Sequence, residues 1–337
     1  MSSGGYIPYH LRVNKAVERQ LFIDLLTKIH ASNSILNHTY VGFGGPFLED
    51  FKMLHNAFDF RKMISLEVDE NVHKRQSFNK PYACIDCWHK DSRMLIDEYQ
   101  HIVDSNAIVW LDYADPSDFS KQLHEINDLL PKLRVNDVLK VTFNANPSVL
   151  QEQTPGLPKR KVHKLRFVEF AERCNSFFSP TLISEDMMDK KSFSKAVHIV
   201  FNNLIAKTME GSGLSLEPLT SFIYADSEHQ MYTFTGVILE NHNKKDFLSC
   251  TGITDWDMYI GNSGNPLEIS IPVLSLKEKN HFDQVLPLKK DDGNRAIIEA
   301  HDALGFCFDE QCKNSQNMIL SYSKFYRNVP FFSKVAM

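Results

Sequence analysis

The chain has 337 residues, of which 43% are hydrophobic and 23% charged, and its formal net charge is −5. This length can bury a large core, and the acidic balance excludes an overall cationic surface but not a local basic patch. No apolar run approaches the roughly 20 residues of a membrane span, and the first residues lack the features of a secretory signal. We therefore expect a cytoplasmic protein without membrane association.

Hydrophobic periodicity predicts helices that alternate with strands over the first half of the chain. A helix is predicted at 14–29, and a strand from residue 39 then runs into a glycine-rich turn that ends at 46. The next predicted elements are a helix at 47–58, a strand at 63–68, a helix at 71–78, a strand at 83–88, a helix at 92–99, a strand at 107–112, a helix at 119–133 and a strand at 138–143. This alternation predicts a Rossmann-like α/β fold, with a mostly parallel sheet and helices on both faces.

The second half of the chain has a different pattern. Residues 164–210 have helical character, and the segments 220–224 and 231–239 flank a polar turn, which predicts a late antiparallel hairpin. The pattern weakens after about 245, with helices expected over 293–328. We therefore predict a Rossmann-like domain at 1–240 with a helical insertion at about 160–211, followed by a small, mainly helical C-terminal accessory module at 245–337.

Six cysteines occur along the chain, and we expect all of them to be free thiols, as is usual in the cytosol. Cys84 and Cys87 form a C-x-x-C with His89 close by, but this pair falls in a predicted strand rather than at the start of a helix. Two small residues on a strand are favoured over a zinc site. We predict no metal.

Glycine and acidic residues follow the predicted strands, where ligands of parallel sheets bind. Gly42 and Gly44 let the backbone after the first strand turn sharply and approach a ligand. Glu67 ends the second strand, and a carboxylate there can accept hydrogen bonds from both hydroxyls of a ribose; Asp69 is the second candidate. Asp91 follows the third strand, where it could accept from an adenine amino group or cap the next helix.

The fourth predicted strand leads into an Asp-Pro turn. Asp112 ends the strand, and Asp115 and Pro116 follow it. This turn is expected to present a carboxylate and backbone carbonyls to a catalytic cleft. The position three residues after Gly44 is Phe47, whereas a dinucleotide-binding G-x-G-x-x-G would have glycine there, so a nicotinamide cofactor is disfavoured.

The four segments 40–45, 65–67, 89–92 and 111–116, taken in order, resemble the motifs of class I S-adenosylmethionine-dependent methyltransferases. The resemblance implies S-adenosylmethionine as the cofactor. It also implies a role for each motif residue: Gly42 and Gly44 beside the methionine part, Glu67 at the ribose, Asp91 at the adenine and Asp112 near the methyl group.

Two branches of that superfamily share part of the Asp-Pro turn. Nucleobase amino-methyltransferases carry an Asp/Asn-Pro-Pro-aromatic motif, and this chain keeps only its Asp115-Pro116. The segment is also similar to the Asp-Pro turn of tRNA guanine N2-dimethyltransferases. From these resemblances Asp112, Asp115 and Pro116 are carried over as candidate catalytic residues.

Two cationic segments complete the set of candidates. Arg12 and Lys15 lie just before the first helix, where they could pair with the cofactor carboxylate or simply belong to a capped surface helix. The basic run 159–166 could contact the phosphates of an RNA or DNA substrate, or form a solvated start of a helix.

Two functions follow from these residues. The first is methyl transfer from S-adenosylmethionine to a nitrogen or oxygen nucleophile, with a nucleic acid among the candidate acceptors. The alternative is a cofactor-binding subunit without turnover, acting as a sensor or through a protein partner in a bacterial regulatory or antiviral defence system. The incomplete Asp-Pro motif and the unassigned C-terminal third motivate that alternative.

Overall fold

A computed structural model describes residues 12–113, 115–152, 156–226, 229–261, 264–309 and 312–330. The strands within these ranges are β1 (Thr39–Phe43), β2 (Met63–Leu66), β3 (Ile85–Trp88), β4 (Ala107–Asp112), β5 (Val138–Asn144), β6 (Leu214–Asp226), β7 (His229–Glu240) and β8 (Leu267–Ile269). The helices are α1 (Val13–Ser32), α2 (Glu49–Phe58), α3 (Glu70–Asn79), α4 (Ser92–Asp97), α5 (Tyr99–Ile102), α6 (Phe119–Leu129), α7 (Lys159–Cys174), α8 (Phe193–Met209), α9 (Lys244–Thr251), α10 (Leu276–Asp283), α11 (Arg295–Asp302) and α12 (Cys312–Phe325).

The strands form one sheet in the order β3-β2-β1-β4-β5-β7-β6-β8. The first five strands pair in parallel, and β7 runs antiparallel to β5. The predicted α/β class, the mostly parallel sheet and the late antiparallel hairpin are confirmed. Parallel strands joined by helices bury both faces, which explains why β4 is almost continuously apolar and why every residue of β5 is buried.

Helices cover the sheet on both faces. On one face, Phe143 of β5 packs against Phe119 of α6 and Phe201 of α8, with ring centroids 5.2 and 5.7 Å apart. On the other face, Tyr40 of β1 packs edge-on against Phe51 of α2, with centroids 4.8 Å apart. Successive residues of a strand point to opposite faces, so this alternation produces the two apolar layers.

The element boundaries partly match the predicted ones. The strand predicted at 107–112 is β4 without change, whereas the single helical region predicted at 164–210 is two helices, α7 and α8, joined by short 3-10 turns. The strand β8 at the edge of the sheet was not predicted. It has only three residues, and Ile269 alone is buried, so it carries no readable alternation.

The chain folds into two compact units. Among the described residues, the first unit holds those within 23–223 and 229–267, and the second holds those within 12–22, 224–226 and 268–330. The predicted boundary at 240–245 lies inside the first of these units. The second unit contains α10, α11 and α12 together with the first half of α1. Within the described ranges, no helix combines the length and the apolar character that crossing a bilayer requires.

The buried side chain of His38 predicts an acid-sensitive step in stability. It lies just before β1, and its Nε2 is 3.2 Å from the carbonyl oxygen of Asn136. Burial lowers the pKa of His38 more than the hydrogen bond to Asn136 and the charge of Asp137 raise it. The unfolded chain therefore takes up a proton as the pH falls below about 6.5, before the folded chain does. For one such group, the free energy of unfolding decreases by at most about 1.4 kcal/mol for each unit by which the pH falls.

We expect His38→Gln to make the free energy of unfolding less dependent on pH between 7 and 5. The dependence should shrink without vanishing, because burial lowers the pKa of His198 as well. Urea unfolding at several pH values measures it, with the exposed His229→Gln as the matched control. Equal pH dependence in His38→Gln and in the unsubstituted chain would contradict the assignment.

Candidate functional site

The strand order changes direction at β1. This strand pairs with β2 on one side and with β4 on the other, in parallel both times, so Gly42 is in register with Ser65 and with Trp110. The connections that leave the carboxyl ends of β1 and β4 therefore diverge and open a crevice, which is where open α/β sheets bind ligands. The predicted site residues Gly42, Gly44, Glu67, Asp91 and Asp112 all belong to strand ends or following turns at this edge.

The end of β1 and the turn after it have room only for glycine at one position each. A methyl group on Gly44 would overlap the side chains of Ser65 and Leu48 and lie 2.8 Å from Gln76 Nε2. A methyl group on Gly42 would lie 2.8 Å from the Tyr40 hydroxyl. The two predicted glycines are therefore explained first by close packing of the chain on itself.

Helix α3 holds the same turn in place through two side-chain amides. Gln76 Nε2 donates to the carbonyl of Gly45 at 2.9 Å, and Asn79 Nδ2 donates to the carbonyl of Pro46 at 2.8 Å. Gln76 is fully buried, and its Oε1 and the Ser65 hydroxyl receive no hydrogen bond from the described residues. Sequence reasoning missed both amides, because a glutamine and an asparagine on a polar helix give no signal by themselves.

Glu67 follows β2 directly and is half-buried. Its Oε1 accepts a hydrogen bond of 2.9 Å from the backbone N–H of Asp69. Asp69, the second candidate for this role, instead caps α3 by accepting from two backbone N–H groups of the first turn. Between them, Val68 leaves 70% of its surface exposed. An acidic and an apolar group thus stand side by side at the end of β2.

Asp91 caps α4, which is one of the two roles that the sequence predicts for it; the other is a contact with the adenine. Its Oδ1 accepts from the backbone N–H of Met94 at 2.8 Å. Its Oδ2 lies 4.0 Å from the ammonium of Lys121 on α6. Oδ1 thus accepts from the first turn of α4, as an N-cap side chain does. Oδ2 faces the Lys121 ammonium and not a backbone N–H.

The Asp-Pro turn after β4 is hydrogen-bonded within the chain. Asp115 Oδ1 accepts from the backbone and the hydroxyl of Ser117, at 2.9 and 2.6 Å, and the pKa of Asp115 is lowered by the hydroxyl first and by the backbone second. The carbonyls of Asp115 and Pro116 accept from Gln122 and Arg173. One carboxylate oxygen and two carbonyls of this turn therefore already accept hydrogen bonds from within the chain. Asp112, the last residue of β4, is half-buried.

Arg12 and Lys15 bind a carboxylate of their own chain. Both are largely buried in the second unit, where Arg12 Nη1 lies 2.9 Å and Lys15 Nζ 3.2 Å from Asp226 Oδ2. A role at the cofactor carboxylate would require this ion pair to be replaced.

The basic run 159–166 forms the first half of α7, and its members differ in exposure. Lys159, Arg160, Lys161 and Lys164 are exposed. Arg166 is buried and donates to the carbonyls of Gln151 and Met188, and burial lowers its pKa. Only four of the five lysines and arginines in the predicted phosphate-binding run are therefore exposed to a partner. The fifth, Arg166, binds carbonyls within the chain.

The sequence matches, over residues 7–337, the family described as "Putative O-methyltransferase". The chain belongs to this family. The match extends through the C-terminal third, which sequence patterns left without an assignment. The predicted resemblance to S-adenosylmethionine-dependent methyltransferases is thereby confirmed at the level of the family.

Solved methyltransferase structures resemble the chain at low sequence identity. Trm1 from Pyrococcus horikoshii, in complex with S-adenosyl-L-methionine, is 10% identical with a TM-score of 0.42; the alignment covers 68% of this chain and 56% of that one. A SAM-dependent methyltransferase from Anabaena variabilis is 12% identical with a TM-score of 0.38, covering 68% and 87%. At this similarity neither protein informs the acceptor or the site residues. No curated protein matches the sequence.

The described residues contain no group of three or more His, Cys, Asp or Glu side chains placed to hold a metal ion. Cys84, Cys87, Cys174 and Cys250 are free, but Cys307 is in a disulfide, so the expectation of six free thiols is wrong. That expectation was based on compartment alone, which does not prevent two cysteines from pairing where the fold brings them together.

We expect Gly44→Ala to lower the free energy of unfolding by about 1–3 kcal/mol, because the added methyl group overfills the contact with Ser65 and Leu48. Adding Ser65→Gly to the same chain should restore part of this loss by removing the overlapping hydroxyl. Urea unfolding of the two single variants and the double variant measures the recovery. A double variant whose loss is simply the sum of the two single losses would show that the predicted overlap does not exist.

Proposed function

We propose that the protein transfers the methyl group of S-adenosylmethionine to a hydroxyl oxygen of its acceptor. The observation that carries the proposal is the meeting of the glycine turn, Glu67, Asp91 and Asp112 at one sheet edge, around the point where strand order changes direction. Membership of an O-methyltransferase family favours oxygen over nitrogen as the acceptor atom.

The residues at the edge fit the cofactor in their chemistry. Among the described residues, Glu67 accepts a hydrogen bond only through Oε1, so Oε2 can accept from the ribose hydroxyls. The exposed side chain of Val68 offers an apolar surface for a purine ring, and Asp91 Oδ2 can accept from its amino group. When bound, S-adenosylmethionine supplies an electrophilic methyl group on a sulfonium. The chain supplies positioning and a fitted electrostatic environment.

A hydroxyl acceptor requires a group that removes its proton, whereas an amine can lose its proton after transfer. We assign that role to Asp112, which ends β4 beside the switch point. An amine-orienting role for Asp115 and Pro116 is less favoured, because the carboxylate oxygen Oδ1 and both carbonyls already accept hydrogen bonds from Ser117, Gln122 and Arg173.

A nucleic acid is the macromolecular acceptor that the charge distribution favours. Four exposed cations stand in the first half of α7, and its first turn has neither an acidic residue nor a side-chain cap. Cations at a helix N-terminus oppose the helix dipole, so an anionic partner would relieve a local electrostatic cost. α7 follows β5 in the chain, and the segment between them leaves the carboxyl end of that strand, at the same edge as Asp112.

The transfer is tested by incubating the protein with cell extract and with S-adenosylmethionine that carries a label in its methyl group. We expect the label in an acceptor pool as a methyl ether that resists alkali, because the proposed acceptor is a hydroxyl oxygen, and nuclease digestion shows whether that pool is nucleic acid. Asp112→Asn should lower the initial rate of labelling by about 100-fold and leave the affinity for S-adenosylhomocysteine within twofold.

Asp118→Asn is the matched control, since Asp118 is an exposed carboxylate shortly after the same strand. Its labelling rate should equal that of the unsubstituted protein. Cofactor binding without label in nucleic acid, protein or small molecules would contradict transfer. It would instead favour the alternative function, a cofactor-binding sensor subunit.

A further inference from the structure

A buried carboxylate on α6 joins two of the strand-end turns. The side chain of Glu125 is 2% exposed. Its Oε2 accepts a hydrogen bond of 2.7 Å from the Ser92 hydroxyl and one of 2.8 Å from the Tyr113 hydroxyl. Ser92 comes directly after Asp91, and Tyr113 comes directly after Asp112. One oxygen atom thus connects the neighbours of two candidate site residues that are 21 positions apart in the chain.

A cation links the same carboxylate to Asp91 itself. Lys121 Nζ lies 3.7 Å from Glu125 Oε1 and 4.0 Å from Asp91 Oδ2. Glu125 Oε1 receives no hydrogen bond from the described residues. Since a buried carboxylate is costly without its donors, any movement of either turn away from Glu125 would be opposed.

Tyr113 also fixes the position of the turn after β4 through its ring. The ring stacks on Phe143 of β5, with centroids 6.0 Å apart and planes at 14°, and meets Phe43 of β1 edge-on at 5.8 Å. Burial, followed by the negative charge of Glu125, raises the pKa of Tyr113 well above its ordinary value. The phenol therefore stays protonated and donates its hydrogen bond throughout the physiological pH range.

We propose that Glu125 is a positioning residue for the cofactor: it holds the turns bearing Asp91 and Asp112 at a fixed separation through Ser92 and Tyr113. The proposal rests on the proposed function, because it concerns the same cofactor site. Glu125 does not touch the cofactor. It preorganises the two turns that border the bound cofactor, so that less free energy is lost on ordering them when the cofactor binds.

The test is a double-mutant cycle on the affinity for S-adenosylhomocysteine, measured by calorimetry well below the unfolding temperature. Tyr113→Phe and Ser92→Ala each remove one hydroxyl and keep the rest of the side chain. We expect each to raise the dissociation constant about five- to tenfold, the equivalent of one modest hydrogen bond. The double variant should raise it by less than the product of the two, because both hydroxyls act through one oxygen.

Tyr99→Phe is the matched control, because Tyr99 is a fully buried tyrosine of the same core, on α5. It makes the same chemical change and should shift the dissociation constant by less than twofold, even where it lowers the unfolding temperature as much as Tyr113→Phe. A purely structural role would instead move affinity and unfolding temperature together in all three variants.

The outcomes separate the two proposals. If the unsubstituted protein binds the ligand and Tyr113→Phe and Ser92→Ala bind it equally well, the positioning role is overturned and the cofactor site stands. Strict multiplication of the two effects would also overturn the shared action through Glu125. If the unsubstituted protein does not bind S-adenosylhomocysteine at millimolar concentration, the cofactor site is overturned and the positioning role with it.

Discussion

The parallel pairing of β1 with β2 on one side and β4 on the other is the constraint from which the candidate site follows. It places Gly42 in register with Ser65 and with Trp110 and makes the connections on either side diverge. The close approach of Gly44 to Ser65 and Gln76 then fixes the path of the first turn. The acidic residues of the neighbouring strands reach the same edge because parallel strands end together.

Polar contacts from helices keep three of the strand-end turns in place. Gln76 and Asn79 on α3 hold the glycine turn, and Glu125 on α6 joins the turns after β3 and β4. These contacts are buried or half-buried, where a hydrogen bond that is lost is not replaced by water. The crevice is therefore bordered by segments whose positions are set by contacts within the chain, which is the arrangement expected of a preorganised site.

Sequence patterns predicted the sheet better than the side-chain contacts. The boundaries of β4 were predictable because its residues are apolar and bounded by polar turns, and the order of the strand-end motifs indicated the methyltransferase resemblance. The contacts of Glu125 with Ser92 and Tyr113 were not predictable, since 33 and 12 positions separate the partners and no local periodicity marks them. The hydrogen bond of Arg166 to the carbonyl of Met188 and the ion pair of Arg12 with Asp226 also join residues that are far apart in the sequence. Local sequence patterns therefore did not indicate them.

The central claim is that this edge binds S-adenosylmethionine with Glu67 at the ribose. Calorimetric titration with S-adenosylhomocysteine, using Glu67→Gln and the exposed Glu70→Gln as its matched control, tests it most directly. The account predicts binding by the unsubstituted protein, affinity weakened about tenfold or more in Glu67→Gln, as for a lost hydrogen bond to a charged group, and no change in Glu70→Gln. Absence of binding, or equal affinity in all three proteins, would contradict it.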